Sequence, residues 1–397
     1  MPNVPKGPQT ADRELVREEF RRVRKTEARE REPAPVAPSR WHDLAELGQS
    51  VWYDNVARPA LASGLLERLI AEDHVTGGTS NPSIFAKAVL ESDLYDEEFA
   101  AAPAGWSPEQ IFERCAIADI RRAADLLRPV WERTRGADGY VSIEEEASVA
   151  FDETLAVRRG HELKALVDRA NVMIKVPGTP AGVAAFRRLT REGVSVNVTL
   201  LFSRERYREI AEAYVDAISE RAAVGEDVSA ISSVASFFVS RIDAKADALL
   251  DEGSPLRGTI AVANAKLAYA DVFEPVFSSQ RWRQLRCAGA NVQRPLWAST
   301  GTKDPSYRPT LYIEELIGPE TVTTAPDATI DAFRTDGAVA PTLTSGIEAA
   351  RERLASLAEQ GVDLDEITAA LERDGVEQFA RAYEDMIAAI AKKRARA

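Results

Sequence analysis

The sequence predicts an α/β chain folded as a (β/α)8 TIM barrel with additional helices, and three observations predict it. Short segments rich in β-branched residues recur eight times after Trp41, and amphipathic helical runs lie between them. One face of five of these segments ends in polar or charged residues, near the strand ends where barrel enzymes build their sites. An open, doubly wound sheet is the alternative, because periodicity does not distinguish closure.

In order, the strand segments are SVWYD (50–54), HVTGGTS (74–80), GYVSIE (139–144), NVMIKV (171–176), VSVNVTL (194–200), ISSVASFFVS (231–240), RPLWAST (294–300) and ETVTTAP (320–326). Helical runs such as 203–223 and 240–252 separate them. The stretch from Asn81 to Asp138 is longer than one helix requires, and residues 346–393 read as two or three further helices. Both are expected to cover part of the barrel.

Residues 1–40 carry 10 Lys+Arg against 7 Asp+Glu, whereas the other 357 carry 40 against 56. The first segment is almost solid charge followed by EPAPVAP, so it is expected to be a disordered extension, with residues 41–397 forming the barrel domain and its covering C-terminal helices. The closing KKRAR reads as a solvated helix end. The net charge of −13 argues against nucleic acid as a partner. No apolar run approaches the roughly 18 residues of a membrane span. Two cysteines, Cys115 and Cys287, and three histidines (His42, His74 and His161) are scattered without metal-ligand spacing. A reduced, cytoplasmic chain with no metal is expected.

A strand sends residues i and i+2 to one face. Val194, Val196 and Val198 then oppose Ser195, Asn197 and Thr199; Val172, Ile174 and Val176 oppose Met173 and Lys175; Val141 and Ile143 oppose Ser142 and Glu144. The first segment ends on Asp54, and Ser236 shares a face with Val234 and Phe238. Lys175 is the most informative. The chain has 10 Lys beside 40 Arg, and a lysine inside an apolar strand is costly as an ammonium. Losing its proton makes the amine a nucleophile suited to Schiff-base chemistry on a carbonyl. A structural ion pair with Glu144 or Asp54 is the other reading.

The remaining candidates also admit two readings each. Asp54 suits a helix cap, and Asn81 before Pro82 suits an N-cap with Pro at the first helical position. Ser142 and Glu145 have capping-box spacing, which makes Glu145 structural and leaves Glu144 as the functional candidate, with Glu146 favouring the same helix end. Thr199 and Ser236 are weak signals alone. Arg241 starts a helix just beyond a strand and suits phosphate, as does Lys303 in the Gly-bearing loop after the seventh strand.

NPSIF (81–85), VSIE (141–144), MIKVPGT (173–179), VNVTLLFS (196–203), SFFVSRID (236–243) and WASTGTKDP (297–305) together resemble the transaldolase family, in its longer bacterial form. The resemblance runs from about Ser50 to Pro326 and leaves out residues 1–40. It implies transfer of a dihydroxyacetone unit from sedoheptulose 7-phosphate to glyceraldehyde 3-phosphate, in the non-oxidative pentose phosphate pathway, without metal or organic cofactor. Sugar phosphates are the implied partners. It implies Lys175 as the Schiff-base lysine, Asp54 as general acid/base, and Glu144 with Thr199 as the pair that positions a water. Asn81, Asn197 and Ser236 match residues holding substrate hydroxyls, Phe238 lines the pocket and Arg241 matches a phosphate ligand. Where many members have Ser-x-Arg for phosphate, this chain has Ser299-Thr300-Gly301-Thr302-Lys303, so Ser299 and Lys303 take that role. A Schiff-base aldolase releasing free dihydroxyacetone, and a non-catalytic binding barrel, are the alternatives.

Overall fold

The computed structural model describes residues 39–395. The expected extension, residues 1–40, therefore lies outside the described residues except for its last two positions. Each expected strand segment holds one strand: β1 (Gln49–Tyr53), β2 (Val75–Gly78), β3 (Val141–Glu144), β4 (Val172–Pro177), β5 (Val196–Leu201), β6 (Ser233–Phe238), β7 (Gln293–Ala298) and β8 (Thr321–Ala325). All neighbours pair in parallel, and β1 pairs with β8 from Gln49↔Thr321 to Tyr53↔Ala325. That last pairing closes the barrel and excludes the open sheet.

The alternation sorts the side chains as the sequence implies. Val172, Ile174, Val176, Val196 and Val198 are fully buried in one core with Ala185, Phe186 and Leu189 of the Pro180–Arg191 helix. Their odd-numbered neighbours turn to the barrel axis. Ser203 caps the Arg204–Ala223 helix, accepting from the Arg206 N–H, so that helix begins where expected. The helix expected over 240–252 is shorter, Ser240–Asp247. Its end is pulled into a turn because Asp247 accepts the Gly258 N–H (3.0 Å) and the Tyr307 hydroxyl (2.7 Å).

The two additions meet. Helices Pro82–Glu91, Asp96–Ala101 and Pro108–Arg133 fill the stretch after β2, and Ile347–Glu359 and Leu364–Arg394 follow β8. Phe85, Val89, Tyr95, Phe99 and Ile111 of the first group share a second core with Met386 and Ile390 of the last helix. The basic C-terminal end is not simply solvated. Lys393 donates to the Ser92 carbonyl (2.6 Å) and Asp96 (2.8 Å), and Arg394 donates to the carbonyls of Trp106 and Pro103. These carbonyls and the Asp96 carboxylate of the insert give the last cations a fixed place.

Both cysteines are free, Cys115 buried and Cys287 exposed. His42 and His74, distant in sequence, bring their rings to 4.9 Å. Among the described residues no three His, Cys, Asp or Glu side chains gather as a metal set, and no helix is long and apolar enough to cross a membrane.

Candidate active site

The barrel mouth at the C-terminal strand ends opens into a cavity of about 170 Å³. Its wall contains Asp54, Asn81, Lys175, Thr199, Ser236, Phe238, Arg241 and Ser299 among the residues expected from sequence. Register explains the convergence. Glu144 pairs with Lys175 across β3–β4 and Lys175 pairs with Asn197 across β4–β5, so the three share one layer of the barrel.

Lys175 is 5% exposed. Its Nζ donates to the Ser80 carbonyl (3.2 Å) and to Glu144 Oε2 (3.3 Å). Loss of solvent, partly offset by Lys175, raises the Glu144 pKa to about 7. That value lets the carboxyl give or take a proton near neutrality. Asp54 lies just past β1 and caps no helix; the next one, Arg58–Ala62, starts from Ala57. Its carboxylate instead accepts the Thr79 hydroxyl (2.6 Å). Desolvation raises its pKa, against the pull of Thr79, Lys175, Lys303 and Arg241.

Below this layer the polar groups are bonded to one another. Asn197 Nδ2 donates to Ser142 (3.0 Å), and Ser236 donates to Asn197 Oδ1 (2.7 Å). Asn197 is therefore occupied on both amide atoms and supports Ser236 from beneath rather than forming the cavity wall. Thr199 Oγ1 is buried and has no protein partner among the described residues. Asn81 does two things: its Oδ1 caps the Pro82–Glu91 helix through the Ile84 N–H (3.0 Å), and the residue also faces the cavity.

The mouth is positive on one side. Arg241 sits in the first turn of the Ser240–Asp247 helix, over the Phe238 ring at 5.3 Å and bonded to Gln378 (3.1 Å). Ser299 has φ +57° and shares a hydrogen bond with Ser240 (2.9 Å). Lys303, on an exposed loop, lies outside the cavity wall, but partial shielding and the nearby Arg241 charge lower its proton affinity.

Two features were not legible. Phe379, from the Leu364–Arg394 helix, roofs the cavity with its ring 5.7 Å from Lys175 Nζ. Leu200, inside β5, has φ +61° at a register shift in the β5–β6 ladder. This bulge aims Leu200 at Gly375 of the roofing helix, where a Cβ would come within 3.0 Å of its Cδ2. The expected capping box at Ser142 and Glu145 does not form. Ser142 is within β3 and the next α-helix, Glu153–Val167, is capped by Asp152. Glu146 precedes only the one-turn 3-10 helix Ala147–Val149, its carbonyl accepting the Val149 N–H (3.1 Å), and its carboxylate pairs with Arg159 at 2.9 Å.

A strand lysine screened from water, with carboxyl groups on the neighbouring strand and across the mouth, is an arrangement suited to imine chemistry, which fits the class of barrel enzymes that act on carbonyl compounds. Within that class the chain belongs to the transaldolase family, since residues 51–390 match the model described as transaldolase/fructose-6-phosphate aldolase. It is 44% identical over 355 residues to Transaldolase 1 of Streptomyces avermitilis, covering 88% of this chain and 94% of that protein. Transaldolase 1 of Streptomyces coelicolor is 46% identical over 356 residues, with 88% and 93% covered. Transaldolase of Thermobifida fusca is 45% identical over 357 residues, with 88% and 97% covered.

Proposed function

We propose that the chain transfers a dihydroxyacetone unit from sedoheptulose 7-phosphate to glyceraldehyde 3-phosphate through an imine on Lys175. The observation that carries this reading is the Lys175–Glu144 pair, 3.3 Å apart and nearly water-free, whose lysine lines a cavity shared with Asp54 and Thr199. The free amine of Lys175 adds to the keto carbon. Glu144 protonates the departing hydroxyl, which leaves as water held by Thr199, and the protonated imine remains. Asp54 then takes the proton of the sugar hydroxyl as the carbon–carbon bond breaks; its raised pKa makes it the stronger base. The bond electrons pass into the imine, leaving a three-carbon enamine on Lys175 and releasing the aldose. The acceptor aldehyde enters, the steps reverse, and no net proton is consumed. Asn81 and Ser236 hold substrate hydroxyls, while Arg241, Ser299 and Lys303 hold the phosphate, with Lys303 in the arginine's role. A reducing cytoplasm suits a chain whose two cysteines are free.

Lys175→Ala is expected to abolish transfer while the fold survives. Borohydride added with fructose 6-phosphate should leave a three-carbon adduct on Lys175 of the unsubstituted chain, read by intact mass and peptide mapping. An adduct on another lysine, or none, refutes the assignment. Abundant free dihydroxyacetone in the absence of an aldose phosphate would instead favour a simple aldolase.

A further inference from the structure

Glu145, just past β3, is a buried acid that the proposed reaction does not use. Its backbone N–H extends the β3–β4 ladder to the Lys175 carbonyl (3.3 Å). Strand alternation therefore sends its side chain away from the axis, into the shell of helices, while Glu144 faces Lys175. It is 4% exposed, and neither carboxyl oxygen has a protein partner among the described residues. Arg159, in the same wall, is already bonded by Glu146 at 2.9 Å and by Glu113. The helix Glu153–Val167 makes room with Gly160, where a Cβ would come within 3.1 Å of Glu145 Oε1 and 2.9 Å of the Leu189 methyls. A glycine inside a helix is unfavourable, so this notch has a cost.

The carboxyl lines a second cavity of about 40 Å³, bounded also by Ser80, Asn81, Glu144, Glu146 and Phe85. Asn81 stands in the walls of both cavities, so this one adjoins the catalytic mouth. Its volume suits on the order of three water molecules, and the carboxyls and the Asn81 amide supply the polar partners each water needs.

We propose that water fills this cavity and links the Glu145 carboxylic acid to the Glu144 carboxylate, making Glu145 a positioning residue for the proton-handling group beside Lys175. Glu145 keeps its proton throughout: its O–H donates to a water, and that water donates to Glu144. The effect is to stabilise the Glu144 carboxylate and fix its orientation toward Lys175. Burial and the charges of Glu146 and Glu144, against Arg159, raise the Glu145 pKa to about 9, so a neutral donor is present at pH 7. The ionisable groups facing it are Glu144 and Glu146 on its own segment, Arg159 on the Glu153–Val167 helix, Glu113 on the Pro108–Arg133 helix and Tyr383 on the C-terminal helix. The inference rests on the reading of Glu144 as the water-handling acid.

The test is the pH profile of kcat for Glu145→Val and Glu145→Gln. Loss of the donor in E145V should move the ionisation near neutrality upward by about one unit, and loss of the fixed Glu144 orientation should lower kcat across the profile by about tenfold, with KM held, a fraction of what general acid–base help is worth. E145Q retains a neutral donor and should keep the unsubstituted profile. In a Glu144→Gln background, E145V should have no further effect. Equal profiles for all three enzymes, or a full additional loss in the double variant, overturn the proposal. Should E145V not fold, infrared difference spectra of E145Q decide: a protonated-carboxyl band at pH 7, absent from the variant, is expected, and its absence from the unsubstituted enzyme refutes the donor. An E144Q enzyme with undiminished kcat overturns the reading of Glu144, and the proposal with it, while leaving that band in place.

Discussion

Glu144 and Glu145 are identical side chains on adjacent residues, and one peptide of strand alternation gives them opposite surroundings. Glu144 meets Lys175, and Glu145 meets a glycine notch and an apolar shell. The second placement has a stability consequence whose sign is unusual for an acid. Its pKa rises from 4.5 to about 9 on folding, so between those values the folded chain holds a proton that the unfolded chain releases. Stability therefore falls as pH rises through that window, by at most about 1.4 kcal/mol per pH unit from this group. Glu145→Gln, which cannot ionise, should gain melting temperature over the unsubstituted protein, and the gap should widen from pH 5 to pH 9. A gap that is constant with pH would mean that Glu145 is ionised when folded. The two acids also show what a sequence can and cannot reveal. Lys175 and Glu144 were legible because charge on the inner face of an apolar strand demands a reason. Glu145 was misread because S-x-x-E spacing occurs by chance where a strand runs out, and only the fold shows that Ser142 lies within the strand and that the next α-helix waits until Glu153.

Secondary structure was legible wherever a period of two or 3.6 held, which is why all eight strands lie where β-branched residues cluster. Which residue of the covering C-terminal helices roofs the site was not, since the Leu364–Arg394 helix owes its place to contacts with residues far back in the chain. Leu200 takes a left-handed backbone that its side chain disfavours, and its reward is a seat against Gly375. One helical turn later comes Phe379, which that spacing puts on the same face, over Lys175. Gln378 and Asp374 add bonds to Arg241 and Lys245, so the helix is fastened to the positive side of the mouth. Phe379 is 7% exposed and borders the cavity, which argues for exclusion of water from the intermediate proposed on Lys175. Phe379→Ala should cost about 2 kcal/mol of stability, below the 3–5 typical of a core Phe because the ring already faces open space. More tellingly, it should raise the yield of free dihydroxyacetone from fructose 6-phosphate without acceptor. If that yield is unchanged while transfer slows, the ring positions substrate and does not guard the enamine.

Across the whole barrel, the proposed chemistry lies at one end, and a buried ion pair lies at the other. Asp138 precedes β3 and accepts bonds from Ser50 (2.5 Å) and Trp52 Nε1 (2.9 Å), while Arg294 of β7 lies 3.2 Å away. Both charges are nearly sealed from water, so the pair joins β1, β3 and β7 at their starts. Burial alone would raise the Asp138 pKa, but Arg294, Ser50 and Trp52 outweigh it and hold it below the usual range. Its contribution is therefore complete above the ordinary carboxylate range and is lost as acid titrates the folded group. Asp138→Ala leaves Arg294 buried without its carboxylate, a change that costs about 3–5 kcal/mol in comparable cases. Because the substitution lies a strand's length from Lys175, the protein that remains folded should keep its kcat and KM. Asp54→Asn is the mirror experiment: it removes the group proposed as the base at the mouth, so kcat should collapse, while the melting temperature holds or rises as a partly buried acid becomes neutral. Chemical denaturation beside transfer kinetics reads both, and the separation of ends fails if Asp138→Ala changes kcat at temperatures where the variant is fully folded.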